Sequence, residues 1–170
     1  MKKIFEAAET VFIAVIFITI AILFFFRVII VEGVSMENTL HGGEKIIITN
    51  FLYTPERGDI VVTDSNNSYN KPLIKRVIAT GGDTIKIEAQ TGDVYLNGQL
   101  LTENYIKEEM TPPASTLEMT VPEGYLFVMG DNRNNSYDSR VEEIGAINEK
   151  DVLGKAAFRI SPFSKVGFVE

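Results

Sequence analysis

Cysteine is absent from this chain of 170 residues, and histidine occurs only once, at His41. Without cysteine the protein has no disulfide bonds, no thiolate metal ligands and no cysteine nucleophile. A single histidine also argues against a metal site built from several imidazoles. We therefore expect no metal and no cofactor, and we look for catalytic chemistry among hydroxyl, amine and carboxylate groups.

Basic residues are also in the minority, with 16 Lys and Arg against 23 Asp and Glu. Residues 32–170 alone carry 13 basic and 21 acidic residues, a net charge of −8. A nucleic-acid binder needs a basic surface that replaces the counterions of the phosphates. We therefore expect no nucleic-acid partner, and the length fits one domain with an appendage.

Residues 11–31 lack the polar face of an amphipathic helix, since Thr19 and Arg27 are their only polar members. As a helix this run would be about 31 Å long, which matches a hydrocarbon core of roughly 30 Å. A buried core helix would show polar positions at helical spacing, and a cleaved signal peptide would have a shorter apolar run and a small-residue cleavage site. The run therefore predicts an uncleaved transmembrane anchor.

Lys2 and Lys3 precede the apolar run, and basic residues favour the cytoplasmic side of a membrane. The predicted organisation is a short cytoplasmic N-terminus at residues 1–10, an anchor at 11–31 and an exocytoplasmic domain at 32–170. The protein is thus expected in the cell membrane as a single-pass protein, with the lipid bilayer as one partner.

Beyond residue 31 the pattern changes to short β-branched runs separated by turn residues. Between the apolar runs 94–96 and 99–101, Asn97-Gly98 is typical of a two-residue hairpin turn because both positions tolerate a positive φ. The pattern predicts an all-β domain of curled antiparallel sheets or a partial barrel, with long connections near residues 65–71 and 104–119. The other predicted strands lie at residues 45–49, 59–63, 72–78, 84–88, 124–129 and 156–160.

Ser35, in Gly33-Val34-Ser35-Met36, lies only four residues beyond the apolar run. A lone serine after glycine is also typical of a simple turn, so its chemistry depends on a base that takes the hydroxyl proton. His41 is one candidate base, although its glycine-rich surroundings predict an exposed turn. Lysine is the other.

Lys75 stands out among the lysines because it interrupts an apolar strand. Period-2 alternation places it on the same face as Leu73 and Val77, whereas Arg76 points to the opposite face. A lysine on a buried face can have a lowered pKa, and its neutral amine can then act as a general base. An edge lysine whose head reaches solvent is the alternative.

Residues 130–140 combine turn formers, hydroxyls and charged groups directly behind an apolar strand. We expect an ion pair between Asp138 and Arg140, a contact of Asp131 with Arg76, and a hydroxyl at Ser136 that orients an amine. A calcium loop is the competing interpretation, but position six of such a loop would be serine instead of glycine.

These segments together resemble the type I signal peptidases, the membrane-anchored serine proteases that remove signal peptides from exported proteins. The resemblance covers nearly the whole chain and is closest to the small enzymes of Gram-positive bacteria. It is carried by Val31-Glu32-Gly33-Val34-Ser35-Met36, Arg57-Gly58-Asp59-Ile60-Val61-Val62, Lys75-Arg76-Val77-Ile78 and Gly130-Asp131-Asn132-Arg133 with Ser136, Asp138 and Arg140.

The resemblance implies that Ser35 is the nucleophile, that Lys75 is the general base and that Ser136 holds the lysine amine. Asp131, Asp138 and Arg140 would be structural supports, and preproteins with signal peptides would be the substrates. The Ser35 backbone N–H would meet the oxyanion, while Gly33 offers no hydroxyl as a second donor.

The chain departs from the family pattern at three places that flank the expected site. Asn38 replaces a proline, residues 79–83 alter the corner after the base strand, and the loop after Arg140 is longer. No catalytic side chain is lost. A substrate-restricted enzyme, or an assembly factor for surface or pilus proteins that has lost turnover, therefore stays open as an alternative.

Overall fold

The computed structural model describes residues 2–66 and 70–170. In these residues the chain forms one N-terminal α-helix followed by a β domain. The helix is α1 (Lys2–Phe25). The strands are β1 (Phe26–Ile30), β2 (Lys45–Thr49), β3 (Ile60–Thr63), β4 (Ile74–Thr80), β5 (Thr84–Ile87), β6 (Val94–Leu96), β7 (Gln99–Leu100), β8 (Leu117–Thr120), β9 (Tyr125–Met129), β10 (Ile147–Asn148), β11 (Val152–Ser161) and β12 (Gly167–Phe168).

The N-terminal apolar run is divided between a helix and a strand. α1 ends at Phe25, and β1 pairs with β2 in an antiparallel register that sets Phe26 opposite Thr49 and Ile30 opposite Lys45. The expectation of one continuous helix through residue 31 was therefore wrong, because the β-branched residues that follow Arg27 extend along a neighbouring strand. Neither the range 2–66 nor the range 70–170 contains a helix with the length and apolar character required to cross a membrane.

The β domain consists of two antiparallel sheets, which confirms the all-β prediction. The larger sheet has the strand order β1-β2-β11-β3-β4-β9-β10, with β12 paired to β11, and the smaller has the order β7-β6-β5-β8. Asn97 and Gly98 join β6 to β7 with φ values of 52° and 78°, as a two-residue turn requires.

Most predicted strands are present with ends that differ by one or two residues, and β11 is longer than expected. β8 begins inside the connection predicted at 104–119 and ends one residue beyond it, and its four residues pair with β5. A strand this short depends on its partner, so its own pattern is too weak to predict it. In the other predicted connection, at 65–71, residues 67–69 lie outside the described residues.

β4 occupies the centre of the larger sheet, between β3 and β9, and is buried on both faces. Ile74 packs against one apolar cluster, Val77 belongs to a second and Ile78 belongs to a third. The two charged residues of this strand, Lys75 and Arg76, are consequently held in the interior, where any charge needs a partner or a shifted pKa.

Candidate active site

The turn that carries Ser35 follows β1, and buried residues before and after Ser35 hold its two ends. Val31, Met36 and Leu40 are buried in one apolar cluster, which fixes the two ends of the turn, and Gly33 adopts a φ of +76° between them. The Ser35 carbonyl accepts a hydrogen bond from the Asn132 N–H at 3.0 Å. The position of the half-buried Ser35 side chain is thus set by the core beneath it and by the loop at residues 130–140.

Lys75 lies opposite Val61 on the neighbouring strand and is 3% exposed. Its Nζ donates to Ser35 Oγ at 2.9 Å and to the Ile74 carbonyl oxygen at 2.9 Å. Forty residues of sequence separate the two side chains, and the antiparallel sheet brings them into direct contact. The expected juxtaposition of a hydroxyl with a buried amine is therefore present in the fold.

Burial lowers the pKa of the Lys75 amine from 10.5 to about 8, because the charged form loses its hydration. The Asp138 carboxylate acts in the opposite direction, the Arg140 guanidinium lowers the pKa further, and Asp131 raises it. Lys75 thus carries a substantial neutral fraction near neutral pH, which an exposed lysine lacks.

The other charged residue of β4, Arg76, forms a two-pronged ion pair with Asp131. Its Nε and Nη2 donate to the two carboxylate oxygens at 2.9 and 2.8 Å, and the two side chains are almost fully buried. The Thr39 hydroxyl donates to the same carboxylate. This confirms the expected contact between Arg76 and Asp131 and connects the Ser35 turn to the loop at residues 130–140.

Asp138 and Arg140 form the second expected ion pair, with Nε and Nη2 of Arg140 at 2.8 and 2.9 Å from the two carboxylate oxygens. Asp138 also accepts from the Gly130 N–H at 2.9 Å and from Ser136 Oγ at 2.6 Å. Burial opposes ionisation, but the hydrogen bonds from Arg140 and Ser136 hold the pKa of Asp138 below its usual value. Within the described residues, the Ser136 hydroxyl is therefore bonded to this carboxylate and not to the amine, contrary to expectation.

Gly130 is required by close packing at the entrance to this loop. A Cβ at this position would overlap with Ser136 Oγ and with the Ser35 carbonyl oxygen. Because both atoms belong to segments that hold the Ser35 turn, a side chain at residue 130 would displace the turn from Lys75.

His41, the alternative base, contacts Lys165 and Glu44. Its Nδ1 lies 3.5 Å from Lys165 Nζ and 3.6 Å from a carboxylate oxygen of Glu44, which is buried. The calcium interpretation also loses support, because Asp131 and Asp138 already have guanidinium partners that compensate their charge.

Tyr105 was missed by the sequence analysis. The Arg76 guanidinium stacks over its ring at 4.1 Å from the centroid, and its hydroxyl donates to Glu103. Arg133 donates to both oxygens of the same Glu103 carboxylate at 2.6 Å. These residues cover the Arg76–Asp131 pair, but Glu103 and Tyr105 lie in a connection without a recognisable motif, so only the fold reveals their role.

Comparisons with known proteins agree with this architecture. A family model described as signal peptidase, peptidase S26, matches residues 4–161. A signal peptidase I from Bacillus licheniformis is 35% identical over 97% of this chain and 92% of its own length. A probable signal peptidase I-1 from Synechocystis is 40% identical over 78% of this chain and 70% of its own length.

Among solved structures, a signal peptidase I from Enterococcus faecalis matches with a TM-score of 0.51 and 30% identity, covering 62% of this chain and 98% of the other. The β domain is accordingly a curled antiparallel half-barrel of the kind that signal peptidases have. The fold and these relatives define a serine protease. The chain belongs to the signal peptidase family, peptidase S26, as a type I signal peptidase.

Proposed function

We propose that this protein removes N-terminal signal peptides from exported preproteins with Ser35 as nucleophile and Lys75 as general base. The observation that carries the proposal is the 2.9 Å contact between Ser35 Oγ and the amine of a 3% exposed lysine. A serine needs a nearby base with a usable neutral fraction at the working pH, and the lowered pKa of Lys75, about 8, gives the amine a neutral fraction that an exposed lysine lacks.

In the first half of the reaction the neutral Lys75 amine takes the proton from Ser35 Oγ as this oxygen attacks the carbonyl carbon of the scissile bond. The resulting ammonium then donates the proton to the leaving amine as the C–N bond breaks, which leaves an acyl group on Ser35. In the second half the neutral Lys75 amine takes a proton from water as the water oxygen attacks the ester carbonyl carbon. The bond between this carbon and Ser35 Oγ then breaks, the acyl group leaves as a carboxylic acid, and the Lys75 ammonium returns the proton to Ser35 Oγ.

The oxyanion of each tetrahedral intermediate needs hydrogen-bond donors that are already in place. Within the part of the chain that the structure describes, the backbone N–H of Ser35 has no acceptor, so it is available for this role. Preorganisation comes from the ion pairs Arg76–Asp131 and Asp138–Arg140, which fix the loop at residues 130–140 that contacts β4 and the Ser35 turn. Ser136 acts through its bond to Asp138.

Substrate recognition follows from the same geometry. An extended substrate strand next to the Ser35 turn would present alternate side chains to the enzyme. We expect small residues at the positions one and three before the cleaved bond, and we expect the residue between them to tolerate bulk.

We propose in addition that α1 attaches the protein to a lipid bilayer. Among the described side chains of this helix, ten large apolar ones between Ile4 and Ile20 are 43–74% exposed. Apolar surface of this extent is unfavourable in water, and lipid is the environment that matches it. The placement of the catalytic domain on the exocytoplasmic side is the prediction made from Lys2 and Lys3.

Cleavage is tested by incubating the detergent-solubilised full chain with a preprotein and sequencing the N-terminus of the product. Ser35→Ala and Lys75→Ala should each abolish cleavage, while His41→Ala should retain it. Loss of cleavage in the His41 variant together with retention in the Lys75 variant would assign the base to histidine. Binding of the preprotein by the unmodified chain without any product would favour the inactive assembly factor.

The topology is tested with single cysteines, because the chain has none of its own. A membrane-impermeant maleimide added to intact cells should label Ser164→Cys, which is exposed in the β domain, and should not label Glu6→Cys near the start of α1. Labelling of Glu6→Cys alone would contradict the proposed orientation. Flotation of the full chain with liposomes tests membrane attachment separately.

A further inference from the structure

A cavity of about 250 Å³ lies where the end of α1 meets the larger sheet. It is formed by the start of β1, the segment that follows β2, and β11. Five apolar side chains contribute to its wall, Phe25, Ile48, Phe51, Leu52 and Leu153, and the polar ones are Arg27 and Asn50. This cavity is distinct from the contact between Ser35 and Lys75 and has no role in the proposed reaction.

Arg27 is the cation of the cavity wall. It is exposed, and within the described ranges it has neither an ion pair nor a hydrogen bond from its side chain. Among the residues that the structure describes, no carboxylate lines the cavity, although residues 32–170 have a net charge of −8. A guanidinium without a carboxylate, placed in a mostly apolar cavity, is complementary to a ligand that has one anionic group and an apolar part.

The rim of the cavity is strongly apolar. Leu52 is 90% exposed, Phe51 is 57% exposed, and Phe26, next to Arg27 on β1, is 47% exposed. Phe51 packs edge-on against Phe25, the last residue of α1, so the rim continues directly into the exposed apolar helix. Inorganic phosphate would satisfy Arg27 but would leave this apolar rim in water.

We propose that this cavity binds the phosphodiester headgroup of an anionic phospholipid, with Arg27 and the Asn50 amide as donors and the acyl chains along Phe51 and Leu52. The inference rests on the proposed attachment of α1 to a bilayer, which would bring the cavity to the level of the headgroups. A zwitterionic lipid would be bound less well, because its ammonium group meets no carboxylate among the described residues of the cavity wall.

The test uses the full chain in a non-ionic detergent and measures the thermal unfolding midpoint during titration with dihexanoyl phosphatidylglycerol. A ligand that binds only the folded state should raise Tm by roughly 5–10 °C at a concentration 100-fold above its Kd. The proposal predicts a saturable rise with this lipid. An equal rise with dihexanoyl phosphatidylcholine, or with inorganic phosphate alone, would overturn it.

Substitutions in the cavity test whether Arg27 and Asn50 bind the lipid headgroup. Arg27→Gln should abolish the rise, and Asn50→Asp, which is nearly isosteric, should abolish it by placing a carboxylate next to Arg27. Lys45→Gln is the matched control, since Lys45 is an exposed cation at the other end of the β1–β2 pair, and it should keep the full rise. A full rise in Arg27→Gln would refute the site.

Two further readouts separate this inference from the proposed function. Cleavage of a short soluble peptide in the same detergent should be unchanged in Asn50→Asp, which also shows that this variant is folded. Ser35→Ala should lose cleavage and keep the rise in Tm. If the unmodified chain floats with liposomes and cleaves the peptide but shows no rise, the lipid site is refuted while the proposed function stands.

Discussion

Lys75→Met is the substitution that tests the burial of the amine most directly. Methionine has a similar length and fits an apolar interior, but it cannot be charged. The substitution should therefore abolish cleavage and, at the same time, make the fold more stable at neutral and mildly acidic pH. A residue that was only structural would not give this combination.

The size of the effect follows from the pKa of Lys75, which is lowered from 10.5 to about 8. At about 1.36 kcal/mol per pKa unit, the charged amine costs the folded state about 3 kcal/mol. Two hydrogen bonds are lost with the amine, those to Ser35 and Ile74, at about 1 kcal/mol each. We expect Lys75→Met to gain about 1–2 kcal/mol in free energy of unfolding at pH 6.

The direction in which the stability changes with pH follows from the two pKa values of Lys75, in the folded and in the unfolded chain. Because the folded pKa is lower than the unfolded one, the unfolded chain binds more protons between about pH 8 and 10.5, and the wild-type protein becomes more stable as pH rises through this window. The penalty is complete below pH 8 and absent above pH 10.5. The advantage of the variant should therefore shrink across the window and change sign before its alkaline end, where only the loss of the two hydrogen bonds remains.

Urea unfolding of both proteins at pH 6, 8 and 10.5, followed by far-UV circular dichroism, measures the difference. The acid limb of kcat/KM for the wild-type enzyme should independently give a pKa near 8, where about one amine in ten is neutral at pH 7. A stability difference that does not change with pH, together with an acid limb near 10.5, would show that the Lys75 amine is solvated and that burial does not lower its pKa.

Three other substitutions test the supports of the site. Gly130→Ala should reduce kcat at least 100-fold, because the alanine Cβ would displace the Ser35 turn. A normal kcat in this variant would disprove the close packing at residue 130. Asp131→Asn should cost about 3–5 kcal/mol in urea unfolding, because Arg76 would keep its charge in the interior without a carboxylate. Ser136→Ala should lower kcat by about tenfold or less and leave the acid-limb pKa nearly unchanged, because its hydroxyl bonds a carboxylate. A large upward move of that pKa in Ser136→Ala would instead indicate a direct bond to the amine.

Local patterns were sufficient to predict the fold class and the main candidates for the site. Alternation in the run around Lys75 predicted a strand with a buried amine, and Asn97-Gly98 predicted a hairpin turn that the structure contains. Such features depend on residues close together in the chain, so a short window of sequence contains the necessary information.

Sequence patterns gave a wrong prediction where a segment or a side chain has two possible structures or partners. The apolar composition of residues 11–31 suits a helix or a buried strand, and pairing with β2 decides the matter after Phe25. Likewise, the hydroxyl of Ser136 can bond several groups, and the nearby carboxylate of Asp138 accepts it in the fold. A charged acceptor gives the stronger hydrogen bond, which composition alone does not reveal.

Composition and local pattern define which chemical groups are available: one hydroxyl behind an apolar run, one lysine within a strand, and a loop rich in ion-pairing residues. Which of these groups meet depends on the folded domain. Ser35 and Lys75 are 2.9 Å apart, and Arg76 is held by Asp131 from one side and Tyr105 from another. These contacts join distant parts of the chain, and the antiparallel register and core packing that create them exist only when the whole domain has folded.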